Sequence, residues 1–138
     1  MKCCFLFLVV LLVSCQTIKP TQLPSAEDHH DRSKLEALAT EQFGMNYATK
    51  DNKKNDYVIV FQRSKKMEDL ISDVQFFIFD KKVGVKLYQD KLEAGTVDWY
   101  SDYEVVAISR IKNGSDGTRT IHQYYYDVQK QEKIAAQD

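Results

Sequence analysis

Histidine, cysteine and clustered carboxylates do most protein chemistry, and this chain supplies them sparingly. Glu27-Asp28-His29-His30-Asp31 gathers two imidazoles and three carboxylates, the donor types that suit a divalent transition metal. Neighbouring residues on a helix diverge by about 100°, and a mobile segment must order itself to chelate. A solvated stretch is therefore expected there, and no metal or cofactor is assigned. The remaining histidine, His122, lies in a β-branched and aromatic run between Ile121 and Gln123, where a strand histidine without a catalytic partner is expected. The chain holds no Gly-x-Ser-x-Gly, no P-loop, no His-Glu-x-x-His, no Gly-x-Gly-x-x-Gly and no EF-hand loop. The sequence thus predicts a non-enzyme, with a small hydrolase or transferase that uses His122 as its base as the alternative.

Aromatic residues offer a different chemistry. Rings with hydrogen-bonding rims suit peptide or sugar surfaces, and Trp99, Tyr124 and Tyr126, with Asp98 and Asp102 as polar rim, are the candidate binding residues. Alternate strand residues face opposite ways, so Tyr124 and Tyr126 share one face and Tyr125 takes the other. If Ile121 and Tyr125 face inward, Tyr124 and Tyr126 form an outward pair; the opposite register buries them. Of Trp99 and Tyr124, Trp99 is expected to be the more buried, because a single Trp brings a large apolar area.

These residues belong to a chain of 138, which by length is one domain. A formal charge of -1 gives no field that would gather nucleic acid, so no nucleic-acid partner is expected. Five glycines, two prolines and 12% aromatics suit a packed β-rich body rather than a low-complexity chain.

The N-terminus reads as an address. Met1-Lys2 is a short positive start, and Phe5 to Val13 is an unbroken apolar run, too short for the roughly 20 residues a spanning helix needs. It ends in Leu12-Val13-Ser14-Cys15, which resembles the lipobox of bacterial lipoproteins. The resemblance implies cleavage between Ser14 and Cys15, a covalent diacylglycerol on the Cys15 sulfur and an N-acyl chain on the new amino terminus. Each buried CH₂ contributes about 0.8 kcal/mol, and two or three chains together anchor a protein durably in a membrane. Cys3 and Cys4 would leave with residues 1–14, so the mature chain would have neither a disulfide nor a free thiol. Gln16 follows the lipidated cysteine where Asp would favour inner-membrane retention in enteric bacteria, so the resemblance implies a lipid anchor in the outer membrane of the cell envelope. The body is similar in style to small lipoproteins of the Bacteroidota, in which an N-terminal helix precedes a short antiparallel sheet.

Residues 15–32 read as a flexible tether with Pro20, Pro24 and few large apolar side chains, followed by the domain at 33–138. Ser33 and Glu36 fit a capping box, although Ala26 to Arg32 has no breaker and a start near Ser25 is also open. Leu35, Leu38, Ala39 and Phe43 follow at helical spacing, and Gly44 suits a left-handed stop. Strand-like runs follow at Met45–Thr49, Tyr57–Gln62, Val74–Phe79, Val85–Gln89, Thr96–Tyr100, Tyr103–Arg110 and Thr120–Val128. Between the second and third runs, Met67, Leu70 and Ile71 are expected to tuck inward from a charged connection. The expected fold is α+β, one N-terminal amphipathic helix packed on an antiparallel sheet of five or six strands. Leu35, Leu38, Phe43, Val58, Val60, Phe76, Ile78, Val105 and Ala107 are expected in its core. The expected function is a lipid-anchored, non-enzymatic module that presents its sheet to an envelope protein or polymer.

Overall fold

The computed structural model describes residues 26–64, 72–114 and 116–136. The proposed signal peptide, Ser14, Cys15, residues 15–25 of the tether, and Met67, Leu70 and Ile71 lie outside the described residues. Helix α1 spans Ala26–Phe43 and is followed by eight strands: β1 Ala48–Asp51, β2 Tyr57–Ser64, β3 Asp73–Asp80, β4 Val85–Leu92, β5 Thr96–Trp99, β6 Glu104–Lys112, β7 Arg119–Asp127 and β8 Glu132–Ala135. No helix of the described residues is long and apolar enough to cross a membrane.

The strands form two four-stranded sheets, ordered β1-β2-β3-β4 and β5-β6-β7-β8, each a run of antiparallel hairpins. This corrects the expected single sheet of five or six strands with one helix packed on it. The protein is mostly β, and β8 lies beyond the last of the expected strand-like runs. The physical reason lies in β3, Asp-Val-Gln-Phe-Phe-Ile-Phe-Asp, whose apolar run does not alternate with polar residues. A strand buried on both faces reads this way. Val74, Phe76 and Ile78 point from the first sheet to Val97, Val105, Ala107, Tyr124 and Tyr126 of the second. Phe77 and Phe79, joined by Val58 and Val60, point the other way and meet Ala39 and Phe43 of α1. Phe43 stacks on Phe77 with ring centroids 5.7 Å apart. The first sheet is thus the middle layer, and its two faces serve two separate cores.

Of the expected core, Phe43, Val58, Val60, Phe76, Ile78, Val105 and Ala107 are buried, whereas Leu35 and Leu38 are only half-buried. The helix uses the earlier of its two open starts, so Ser33 stands inside it and caps nothing; residues 26–32 are helical. Arg32 and Glu36, one turn apart, pair at 3.1 Å. The helix stops where expected, with Gly44 at φ +69° and its N–H donating to the Thr40 carbonyl at 2.8 Å.

The chain crosses from one sheet to the other through Glu93-Ala94-Gly95. Ala94 is buried at φ +44°, and the Arg110 N–H donates to the Glu93 carbonyl at 2.9 Å. A Cβ on Gly95 would stand 2.3 Å from Leu92 Cβ and 2.9 Å from the Ile108 carbonyl oxygen, so only glycine fits the crossing. At the other side of the sandwich, Asn52 holds two turns together. Its buried side chain donates to Asp56 Oδ1 at 2.6 Å and to the Asp102 carbonyl at 2.8 Å, while accepting the N–H groups of Asp56 and Tyr57.

Candidate functional site

Two sheets have four faces. The inner faces cover each other, and α1 lies on the outer face of the first sheet. The outer face of β5-β6-β7-β8 has no described residue packed over it as a layer. Because Val105, Ala107, Tyr124 and Tyr126 point inward, the alternate residues Val106, Ile108, Ile121 and Tyr125 point outward. The register pairs Val106 with Tyr125 and Tyr125 with Ile134. Ile121 is 65% exposed and Ile134 39%. Tyr100, itself 65% exposed, sets its ring edge-on to Tyr125 with centroids 4.9 Å apart. The result is an outer face with apolar and aromatic residues, interrupted by Gln123 and bordered by Arg110, on a two-sheet scaffold.

The proposed aromatic residues fall elsewhere. Tyr124 and Tyr126 are buried at 8% and 3% exposure, so the chain adopts the register that turns them inward and leaves Ile121 and Tyr125 outside. Trp99 is half-buried and therefore less buried than Tyr124, the reverse of the expected order. Strand β5 is an edge of its sheet and covers only part of the indole; the indole N–H donates to the Lys50 carbonyl of β1 at 2.9 Å. Asp98, on the outer face, pairs with Lys50 at 2.6 Å, and Asp102 contributes its backbone carbonyl to Asn52. Trp99, Asp98 and Asp102 thus tie the two sheets together along one side.

Tyr124 instead joins a polar cluster on the opposite side. Its hydroxyl donates to Asp90 Oδ2 at 2.5 Å, the Tyr88 hydroxyl donates to the same oxygen at 3.1 Å, and Lys133 Nζ lies 3.7 Å from it. The Lys133 ammonium also sits 3.8 Å from the centre of the Tyr124 ring, and Tyr88 stacks on Tyr126 at 4.2 Å. Burial alone would raise the Asp90 pKa. The hydroxyls of Tyr124 and Tyr88, the Lys91 N–H and the Lys133 charge outweigh it and hold the carboxyl below its ordinary range. Burial and the adjacent carboxylate push the Tyr124 phenol far above its usual value. A phenol held neutral beside a held carboxylate is a structural donor and acceptor pair rather than an acid and base poised for neutral pH.

His122 is exposed, and its cross-strand partner is Ser109. Among the described residues, no hydrogen bond joins the two side chains. Ser109 lines a cleft of about 310 Å³ with Asp73, Lys91, Glu93 and Ile111. Buried Asp73 accepts the Ala94 N–H there at 3.0 Å, serving the crossing between sheets. The residues 27–31 lie in the first turns of α1, with Asp31 and its neighbours' side chains outside the described residues.

Sequence reasoning missed Tyr100, Val106, Ile108, Ile121 and Ile134. Their signal was the alternation itself: in β7, Ile121 and Tyr125 fall on one face and Tyr124 and Tyr126 on the other, and the inward face takes the pair whose hydroxyls are met there, Tyr124 by Asp90 and Tyr126 by the Leu87 carbonyl. No family model matches the chain, and comparisons with curated proteins and with solved structures find no match.

Proposed function

We propose that this protein is a lipid-anchored lipoprotein of the cell envelope, held through acylated Cys15 in the outer membrane, and that it works as a non-enzymatic interaction module. The observation that supports an interaction role is the open outer face of β5-β6-β7-β8, where Tyr100, Ile121, Tyr125 and Ile134 present apolar area on a scaffold whose other sheet faces are covered. Exposed apolar patches rimmed by polar residues mark interaction sites, and rigid aromatic anchors carry much of the energy at such sites. The partner is a protein that lays its own apolar surface on this face. The lipid on Cys15 supplies the address, and the sandwich supplies the surface.

Fractionation and surface mutation test the two halves separately. Cys15→Ser is expected to abolish membrane association and leave a precursor with Met1 in place. Ile121→Asp changes an exposed position, so its thermal unfolding should stay within about 0.5 kcal/mol of wild type, while chemically crosslinked species formed in intact cells should disappear. Membrane retention of the Cys15→Ser chain overturns the anchor, and an unchanged crosslinking pattern in the folded Ile121→Asp protein overturns the surface.

A further inference from the structure

The open face carries its charges in an order that fits itself. Along β6 the outward positions read Glu104, Val106, Ile108, Arg110 and Lys112, and along β7, running the other way, they read Asp127, Tyr125, Gln123, Ile121 and Arg119. One end is net acidic, with Glu132 of β8 beside Asp127, which is itself paired with Lys130 at 3.3 Å. The other end is basic, and the middle is apolar. The cross-strand pair Ile108 and Gln123 lies midway between the ends, four residues from each along both strands.

Resting on the reading of this face as the interaction surface, we infer that its partner is a second copy of the chain. The two copies stack face to face about a two-fold axis that lies in the interface and crosses the strands at Ile108 and Gln123. Rotation about that axis reverses the strand direction while keeping β6 over β6 and β7 over β7. Glu104 then meets Lys112 of the second copy, and Tyr125 meets Ile121 of the second copy, each contact occurring twice as an isologous interface requires. The other in-plane axis, parallel to the strands, sets acidic end over acidic end and basic over basic; like charges placed opposite each other suppress that orientation.

The charges differ in how free they are to take part. Asp127 accepts the N–H groups of Gln129 and Lys130, holding its own turn, Asp98 is paired with Lys50, and Arg119 and Arg110 both donate to backbone carbonyls. The Glu104 carboxylate accepts the Ser101 hydroxyl at 3.1 Å, its backbone alone serves the rest of that turn, and Lys112 is exposed at the other end. The Glu104–Lys112 pair therefore sets the orientation, and the apolar middle supplies contact area.

Charge reversal tests this on the full chain, extracted from membranes in detergent and followed by sedimentation equilibrium. Wild type is expected to be a dimer. Glu104→Lys and Lys112→Glu should each weaken self-association by about tenfold or more, since each sets two like-charged pairs across the interface, with thermal unfolding unchanged. The double variant Glu104→Lys/Lys112→Glu should regain the wild-type association, and a mixture of the two single variants should form the mixed dimer in preference to either homodimer. A monomeric wild type, single variants that associate normally, or a double variant that stays weak overturns the inference. The wider reading fails separately: a monomeric chain that still forms Ile121-dependent crosslinks to other proteins in cells retains the interaction surface and loses only the second copy.

Discussion

Replacing Tyr124 by Phe removes one oxygen from the core and so isolates the polar cluster between the sheets. The ring stays, and with it the contact to Tyr88 at a centroid distance of 6.4 Å. What is lost is the hydroxyl that donates to Asp90 at 2.5 Å. A hydrogen bond to a charged group contributes about 1.5–3 kcal/mol, and Asp90 keeps the Tyr88 hydroxyl and Lys133, so the lower part of that range, about 2 kcal/mol, is expected. For a domain of this size that lowers the melting temperature by roughly 6–10 °C. The pH dependence has a definite sign. The Asp90 pKa is lowered in the folded protein, so its stabilisation is fully present above the ordinary unfolded value of about 3.9 and is lost as pH falls through the folded value. The gap between wild type and Tyr124→Phe should therefore be widest near neutral pH and close as the solution is acidified below pH 4. Thermal unfolding by circular dichroism across that range measures it. Equal melting temperatures at neutral pH, or a gap that widens on acidification, would refute the assignment of Asp90 and Tyr124 as a stabilising pair.

Gly95→Ala should destabilise by about 2 kcal/mol or more, because the new Cβ meets Leu92 Cβ and the Ile108 carbonyl at the crossing between sheets; denaturant unfolding reads the loss. Phe76→Ala and Phe77→Ala, neighbours on opposite faces of β3 and both fully buried, should each cost about 3–5 kcal/mol by the same assay, and a near-neutral Phe77→Ala would show that α1 does not complete a second core. Asn52→Ala leaves the Asp56 and Tyr57 N–H groups and the Asp102 carbonyl without their partner, so a loss of about 2 kcal/mol is expected, together with faster amide exchange in both turns.

Local elements were legible in the sequence, whereas the expected single sheet with one helix packed on it was not what they build. The helix stop at Gly44 and the strand-like runs from Tyr57, Val74, Val85, Thr96 and Thr120 fall on elements of the structure. What could not be read was how many layers those strands would build. Val58 and Ile59, or Phe76 and Phe77, are apolar neighbours that a single half-solvated sheet would not tolerate; they make sense only once both faces are covered, and coverage is decided by contacts between residues far apart in the chain. The same limit governed the tyrosines. Alternation put Tyr124 and Tyr126 together, but the inward face is the one where Asp90 of β4 accepts the Tyr124 hydroxyl, a contact far away in the chain. Asn52 carried a faint signal, a polar residue closing a strand before a Lys-rich turn, with nothing local to show that its partner lay at Asp102.

The claim that the outer face of the second sheet is the working surface is tested most directly by a photo-activated crosslinking residue placed at position 121 in the full-length protein in intact cells, with the same residue at position 41 on the exposed side of α1 as comparison. A defined crosslinked band is expected in the membrane fraction from position 121, absent from position 41 and abolished by Tyr125→Asp. A band from position 41 with none from position 121 would contradict it.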